Sequence, residues 1–369
     1  MNVAGSVPVA RRMLFGDRRR LAVSLLGVGG AIGLVLLLQG LWSGQLTQIT
    51  AYEDNSGADL FVAKPGTESV LSDASVVPLA AVGEIAGLTG VEQVNPVHLH
   101  YTVFDLHGRK EFVLLVGSEP RGLGGPWKLA VGREATAAEE VVLDRILAYQ
   151  HGLSPGDELG VAGATLTVVG LSERTRSWMT SLVFVTSETA ARLSGSTMAS
   201  YLLVTTPTPD ETGAAITSAT GLDTLTPATL AANDRQVLAE IMEGPVMLMI
   251  GIAFAAATLV VALTVYSGVV ERLREYGIVK AIGARRRRVW RIITGQTLTL
   301  TLAGSALGYL MYLGGTWIVG RIRPQFWFSL KTSHLVVVAA AVLAMSVLAA
   351  ALPVRRLGRL DPASVCRGW

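Results

Sequence analysis

The sequence predicts an α-helical membrane protein: four transmembrane helices, with an extracytoplasmic α+β domain inserted between helices 1 and 2. Three observations carry that reading. Four long stretches are almost free of ionisable side chains, arginines cluster beside some of their ends and not others, and residues 43–243 are strongly acidic. Half of the 369 residues are hydrophobic and 16% are charged, against about 25% charged in a typical soluble domain. This hydrophobicity excludes a disordered chain, and the single cysteine, Cys366, excludes a disulfide scaffold.

Residues 1–20 (MNVAGSVPVARRMLFGDRRR) read as a cytoplasmic amphipathic segment lying along the inner leaflet, with a simple topogenic charge cluster as the plainer alternative. Residues 21–42 contain no ionisable group and form the first span. Their apolar run exceeds the roughly 7–15 residues of a signal-peptide core, so the helix is expected to be retained. Trp42 at its outer end suits an interfacial anchor. The second span covers 244–270, the third 292–320 and the fourth 332–354, interrupted only by His334. Each is long enough for a bilayer core, which needs about 20 apolar helical residues.

Charge on the flanks sets the orientation. Arg11, Arg12 and Arg18–Arg20 precede the first span; Arg272, Arg274, Lys280, Arg285–Arg288 and Arg291 fill the segment 271–291; Arg355, Arg356, Arg359 and Arg367 lie in the tail 355–369. The loop 321–331 has only Arg321, Arg323 and Lys331. The positive-inside rule then puts both termini and 271–291 in the cytoplasm, and 43–243 outside. That external segment carries 11 Lys and Arg against 24 Asp and Glu, a net charge of −13.

Within it, strands are expected at 58–63, 91–97 (ending near Pro96), 99–106 and 112–117, the last two joined through His107-Gly108. Residues 141–143 lead into a short helix through Tyr149; strands follow at 158–162, 164–171, 182–186 and 200–205, with helices near 79–88, 188–193 and 210–219. Residues 227–243 form a helix that continues into the second span, with Gly244-Pro245 at the entry.

The most specific segment is Glu271–Ala284, ERLREYGIVKAIGA. Arg272 and Glu275 can pair across a helical turn, while Leu273, Tyr276, Ile278 and Val279 form an apolar side. The residues alone fit a partner-docking helix and a lipid-anchored interfacial helix equally well. The string E-R-x-x-E-x-G-x-x-K-A-I-G-A resembles the hallmark of FtsX-like, MacB-type ABC transporter permeases, with Tyr276 where an aliphatic residue is more usual. Arg18–Arg20, GADLFVAKP at 57–65, GLSPGDELGV, TLTVVGL and the ending RRLGRLDPASVCR are also similar to this family, and most similar to its DevC-like branch.

That resemblance implies an ATPase-coupling role for Glu271, Arg272, Glu275, Tyr276, Gly277, Lys280, Ala281, Ile282, Gly283 and Ala284. It implies a bacterial inner-membrane location and a dimer with a second permease copy or paralogue. Cytoplasmic ATPase subunits would carry ATP and Mg, leaving no cofactor in this chain, and an external adaptor would complete the assembly. Family members transmit closure of the helices to the external domain, a mechanotransmission that exports a substrate. Regulation of a cell-envelope enzyme without transport, and haem or lipid efflux, are the alternatives. No G-x-x-x-x-G-K-[ST] occurs in the sequence, so ATP binding of that kind must come from a separate subunit.

Gly29/Gly33, Gly40/Gly44 and Gly304/Gly308 each match G-x-x-x-G and allow close helix approach, within one chain or across a dimer. Gln39, Gln296 and Thr299 are expected to hydrogen-bond between helices, and Tyr266, Tyr309, Tyr312 and His334 to pack or sit at the interface. His98 and His100 share a strand face with His107 beyond; exposed strand polarity outweighs a metal site there. No G-x-S-x-G or H-E-x-x-H motif is present, so no catalytic residues are assigned.

Overall fold

The computed structural model describes residues 18–106, 108–161, 163–178, 180–271 and 286–358. The chain divides into two compact units, one made of residues 45–243 and the other of the segments before and after them.

The first helix, α1 (Arg18–Gln48), ends in a turn and a short 3-10 helix at Glu53–Asn55. The unit formed by 45–243 is then built on β1 (Leu60–Ala63), α2 (Ala81–Ala86), β2 (Gln93–Leu106), β3 (Arg109–Ser118) and β4 (Leu129–Gly132). It continues with β5 (Glu140–Asp144), α3 (Arg145–His151), β6 (Glu158–Val161), β7 (Ala164–Ser172), β8 (Arg176–Ser177) and β9 (Thr180–Thr186). Then come α4 (Ser187–Ser194), β10 (Tyr201–Thr205), α5 (Pro209–Thr220) and β11 (Asp223–Leu225). The strands form one mixed sheet in the order β11-β1-β10-β2-β3-β9-β5-β7-β4, with β6 on β7 and β8 on β9. Only β3/β9 and β5/β7 pair in parallel among these neighbours.

Alternation along the strands explains why both faces of this sheet are covered. On β1, Phe61 and Ala63 face one cluster with Tyr201, Leu203, Val116 and Leu230, whereas Leu60 and Val62 face another with Ile85 and Ile216. On β3, Leu114 and Val116 join the first cluster, while Val113 and Leu115 meet Leu147 and Ala190 on the opposite side. Successive side chains of a strand point to opposite faces, so a strand that is apolar throughout must be clad on both.

One expectation is corrected here. The break near Pro96 does not occur: β2 runs through it, with Pro96 opposite Leu202 of β10. Pairing with β3 begins only at His98, so at Pro96 the strand has a neighbour on one side alone. A proline, which lacks an N–H, is tolerated where one side of the strand is an edge. The short strands β4, β8 and β11 carry no alternation long enough to read from sequence.

A buried polar joint fixes α3 to the sheet. Asp144 caps α3 by accepting from the Ile146 and Leu147 amides at 3.1 and 3.2 Å, and accepts from the Thr175 hydroxyl. Burial pushes its carboxyl up, and the Arg176 guanidinium, 3.8 Å away, partly offsets this.

In the other unit, α6 (Pro227–Glu271) contributes its second half, followed by α7 (Arg286–Ile322) and α8 (Thr332–Gly358). Windows within 21–48, 227–268 and 297–322 are long and apolar enough to cross a membrane, and α8 holds a shorter apolar stretch, Leu335–Met345. At most 28% of each long window is buried, so their outer surfaces are apolar, as a lipid-facing helix requires. All four helices meet in one core: Val28, Ile32 and Leu36 of α1, Ala257 and Val261 of α6, Leu300 and Tyr312 of α7, and Val342 and Met345 of α8.

Replacing Asp144 by Ala removes a cap and leaves the buried Arg176 without its counter-charge. The expected loss is about 3 kcal/mol or more, measured as a shift in the denaturant midpoint of the 45–243 unit within the intact chain.

Candidate functional site

Helix α6 brings two charged neighbours, Asp234 and Arg235, to the segment where the chain enters the 45–243 unit. Leu230, Ala231 and Leu238 are fully buried, and Asp234 falls on the same face at helical spacing, 1% exposed. A carboxylate on an apolar helix face is costly unless it is paired and hydrogen-bonded. Its Oδ1 accepts from the amides of Val70 (3.0 Å) and Leu71 (3.4 Å). Its other partner is the side chain of Glu53, itself 3% exposed. Burial above all, and then the hydrogen bond to Asp234, raise the Glu53 carboxyl well above its ordinary range. Glu53 therefore keeps its proton and donates it towards Asp234.

Arg235 completes the contact. Its Nη2 donates to the Thr50 hydroxyl (2.8 Å) and to Asp54 Oδ2 (3.2 Å), and its Nε reaches the Leu46 carbonyl (3.4 Å). Thr50 in turn donates to Asp54 Oδ2 at 2.7 Å. Residues 46–54 and 234–235 are thus joined by a hydrogen-bonded clasp. Two tyrosines adjoin it, and burial raises both the Tyr52 and the Tyr201 hydroxyls. The oxygens of Tyr52, Tyr201 and Glu53 Oε2 are buried without a hydrogen-bond partner among the described residues. Nothing in the sequence pairs Glu53 with Asp234, which are far apart along the chain. The legible signal is that Asp234 interrupts the buried stripe of LAANDRQVLAE.

Of the expected coupling residues, Glu271 is the last residue of α6. Arg272, Glu275, Tyr276, Gly277, Lys280, Ala281, Ile282, Gly283 and Ala284 lie outside the described residues, as do residues 1–17, His107 and the tail from 359.

The G-x-x-x-G glycines come together on α1 and α7. A Cβ on Gly308 would stand 2.9 Å from the Gly29 carbonyl oxygen and 3.0 Å from the Gly33 nitrogen, and one on Gly33 would stand 3.1 Å from the Gly308 carbonyl. Gly29 faces Leu307, Gly304 faces Val28, and Gly40 faces the ring of Tyr312. Gly44 lies against the Trp327 carbonyl, and the Ser329 amide donates to Gly40 O at 2.9 Å.

Three sequence expectations change. Trp42 is buried at 7% exposure instead of facing lipid, at an end of α1 over which the 327–329 segment packs. Thr299 bonds back to the Gly295 carbonyl of its own helix at 2.8 Å, a common way for a threonine hydroxyl to satisfy itself within a helix. His98 is buried and His100 exposed, so the pair does not form one exposed polar face; burial lowers the His98 imidazole. Among the described residues no three His, Cys, Asp or Glu side chains come together to hold a metal.

A bundle of apolar helices, joined in sequence to a mixed sheet clad on both faces, defines a membrane protein with a large folded insertion. Family comparison makes the class specific. Residues 21–222 match the MacB-like periplasmic core domain, and residues 247–362 match the FtsX-like permease C-terminal domain. The chain belongs to the ABC transporter permeases of the FtsX and MacB type.

An uncharacterized ABC transporter permease of Mycobacterium tuberculosis is 24% identical over 357 residues, 95% of this chain and 96% of its own. Another, of Mycobacterium bovis, is 25% identical over 354 residues, 94% of this chain and 95% of its own. Among solved structures, the extracellular domain of the noncanonic transporter YknZ is similar over 46% of this chain and all of its own, at 15% identity and a TM-score of 0.36. The periplasmic region of MacB from Actinobacillus actinomycetemcomitans is similar over 48% and 92%, at 12% identity and 0.37. Family membership implies a cytoplasmic ATPase partner, and with the apolar helices it gives the chain a membrane location as a transport component.

Two tests follow from this geometry. A free Glu titrates near pH 4.3, whereas folded Glu53 holds its proton to higher pH. The folded state then binds the extra proton, so its stability falls as pH rises from about 4.3 through the raised value. Glu53→Gln should flatten that decline and raise the melting temperature of the unit at pH 8 by about 2–4 °C, the worth of roughly 1 kcal/mol at this size. In the helical unit, Gly308→Val should cost about 1–3 kcal/mol by overpacking. Gly251→Ala, at a position with open space around it, should have a far smaller effect in the same detergent melt.

Proposed function

We propose that this permease spans the membrane four times, with both termini and residues 271–291 in the cytoplasm and residues 43–243 outside. It works by mechanotransmission: ATP hydrolysis on a separate Mg-dependent ATPase changes the arrangement of the spans, and the external domain responds by driving export of a substrate. Two permease chains, identical or paralogous, pair with the ATPase subunits, and an external adaptor receives the substrate. The observation that most supports this reading is α6, a single helix of 45 residues from Pro227 to Glu271. At 1.5 Å per residue it is about 68 Å long, and it carries the Asp234–Arg235 clasp near one end. Its other end is Glu271, the first residue of the proposed coupling segment. Apart from Pro245, which removes one ladder hydrogen bond near its middle, the helix is unbroken and links two distant sites.

The coupling assignment is tested with the reconstituted complex. Glu275→Arg or Gly283→Leu should lower permease-stimulated ATP hydrolysis by about tenfold, equivalent to roughly 1.4 kcal/mol of lost coupling, while membrane insertion stays normal. Normal stimulation in both variants would sink the assignment. Vesicle flux distinguishes export from a regulatory role, in which an envelope enzyme is activated with no substrate crossing.

A further inference from the structure

Strand β2 changes neighbours in mid-course. Its residues 93–97 pair with β10, and its residues 98–106 pair with β3. At this fork lies an open-mouthed cavity of about 500 Å³, bordered by the loops 70–76 and 194–198. That volume lies within the range of small-molecule sites. Tyr101, His98 and His100 of β2, Tyr201 of β10, Met198 and Asp73 give the walls their chemical character.

We infer that this cavity is a binding site for a small organic ammonium ion with an apolar body, and that its occupancy bears on Asp234 of α6 through residues 70 and 71. Three features support the choice of ligand. No Lys or Arg is among the described residues lining the cavity, so an anion would find no counter-charge. Asp73 presents a carboxylate held in place by the amides of Glu68 (2.7 Å) and Ser69 (2.9 Å) and by the Ser72 hydroxyl (3.2 Å). These bonds hold its carboxyl below the usual range, so it stays ionised at neutral pH. Aromatic rings beside a cation add attraction, and the net charge of −13 over residues 43–243 favours a cation's approach.

The link to the clasp is short. Val70 and Leu71 line the cavity, and their amides are the ones that Asp234 accepts. A ligand pressing on this turn acts on the carboxyl pair at the far side of it.

Dansylcadaverine supplies a suitable probe, and its N-acetyl derivative has the same body without the charge. Titrated into the full-length protein in nonionic detergent, the amine should bind saturably, and the acetylated form at least about tenfold more weakly, as loss of a charge-assisted contact implies. Asp73→Asn, which removes the lining charge, should weaken the amine by about tenfold. Met198→Trp should block the cavity. Equal binding of the two probes, or full binding by both variants, would overturn the site. Asp73→Asn keeps the test decisive if Met198→Trp fails to fold. Hydrogen exchange reads the link: the amine should slow exchange in peptides covering 68–76 and 230–238. Slowing in 68–76 alone would refute the connection to Asp234.

Discussion

One buried carboxyl governs how the 45–243 unit holds its two ends. Asp234 lies on the apolar stripe of α6, where a charge without partners would cost several kcal/mol. Everything that satisfies it comes from a distant part of the chain: the amides of residues 70 and 71, and the proton of Glu53. A hydrophobic residue at this position would bury as well and ask for nothing. The aspartate instead makes correct placement of three segments a condition for removing the charge from water. Buried polar groups of this kind contribute uniqueness of arrangement more than net stability. Arg235, one residue on, adds a bond to the buried Thr50 and an exposed ion pair with Asp54 whose worth is small. The buried member of the pair carries the specificity and the exposed member follows it.

The helical unit solves a different problem. In lipid there is little hydrophobic gain from bringing helices together, so close packing must supply the attraction. The glycines of α1 and α7 answer this by letting backbone meet backbone at Gly29, Gly33 and Gly308. Tyr312 then fills the space beside Gly40, and the loop carbonyl of Trp327 lies against Gly44. Every glycine of the G-x-x-x-G pairs on α1 and α7 has a close neighbour within this chain, so their placement requires no second copy.

Much of this was legible in the sequence because it depends on local rules. The apolar stretches announce themselves by missing charge over lengths no ordinary soluble helix sustains. Strands such as 60–63, 164–172 and 180–186 are bounded by glycine, proline or polar clusters that mark their ends. Pro96 misled because the local rule has an exception set elsewhere: whether a strand tolerates proline depends on whether it has a second neighbour at that point. The cavity was invisible for the same reason. It exists because β2 trades its hairpin partner β3 for β10, and β10, at Tyr201–Thr205, lies far along the chain. Asp234 lies between these cases. Its spacing from Leu230 and Leu238 was readable, but its partners Glu53, Val70 and Leu71 were not.

The glycine contacts also divide the labour among the four helices. Side chains can change rotamer and let one surface slide over another, but backbone pressed on backbone has no such freedom. At their glycines, α1 and α7 therefore behave as a single body. Helix α6 meets α1 differently, through side chains such as Val260 beside Gly27 and Val261 in the shared core. A side-chain seam of this kind can repack where the backbone contact of α1 with α7 cannot, so the two contacts of α1 differ in kind.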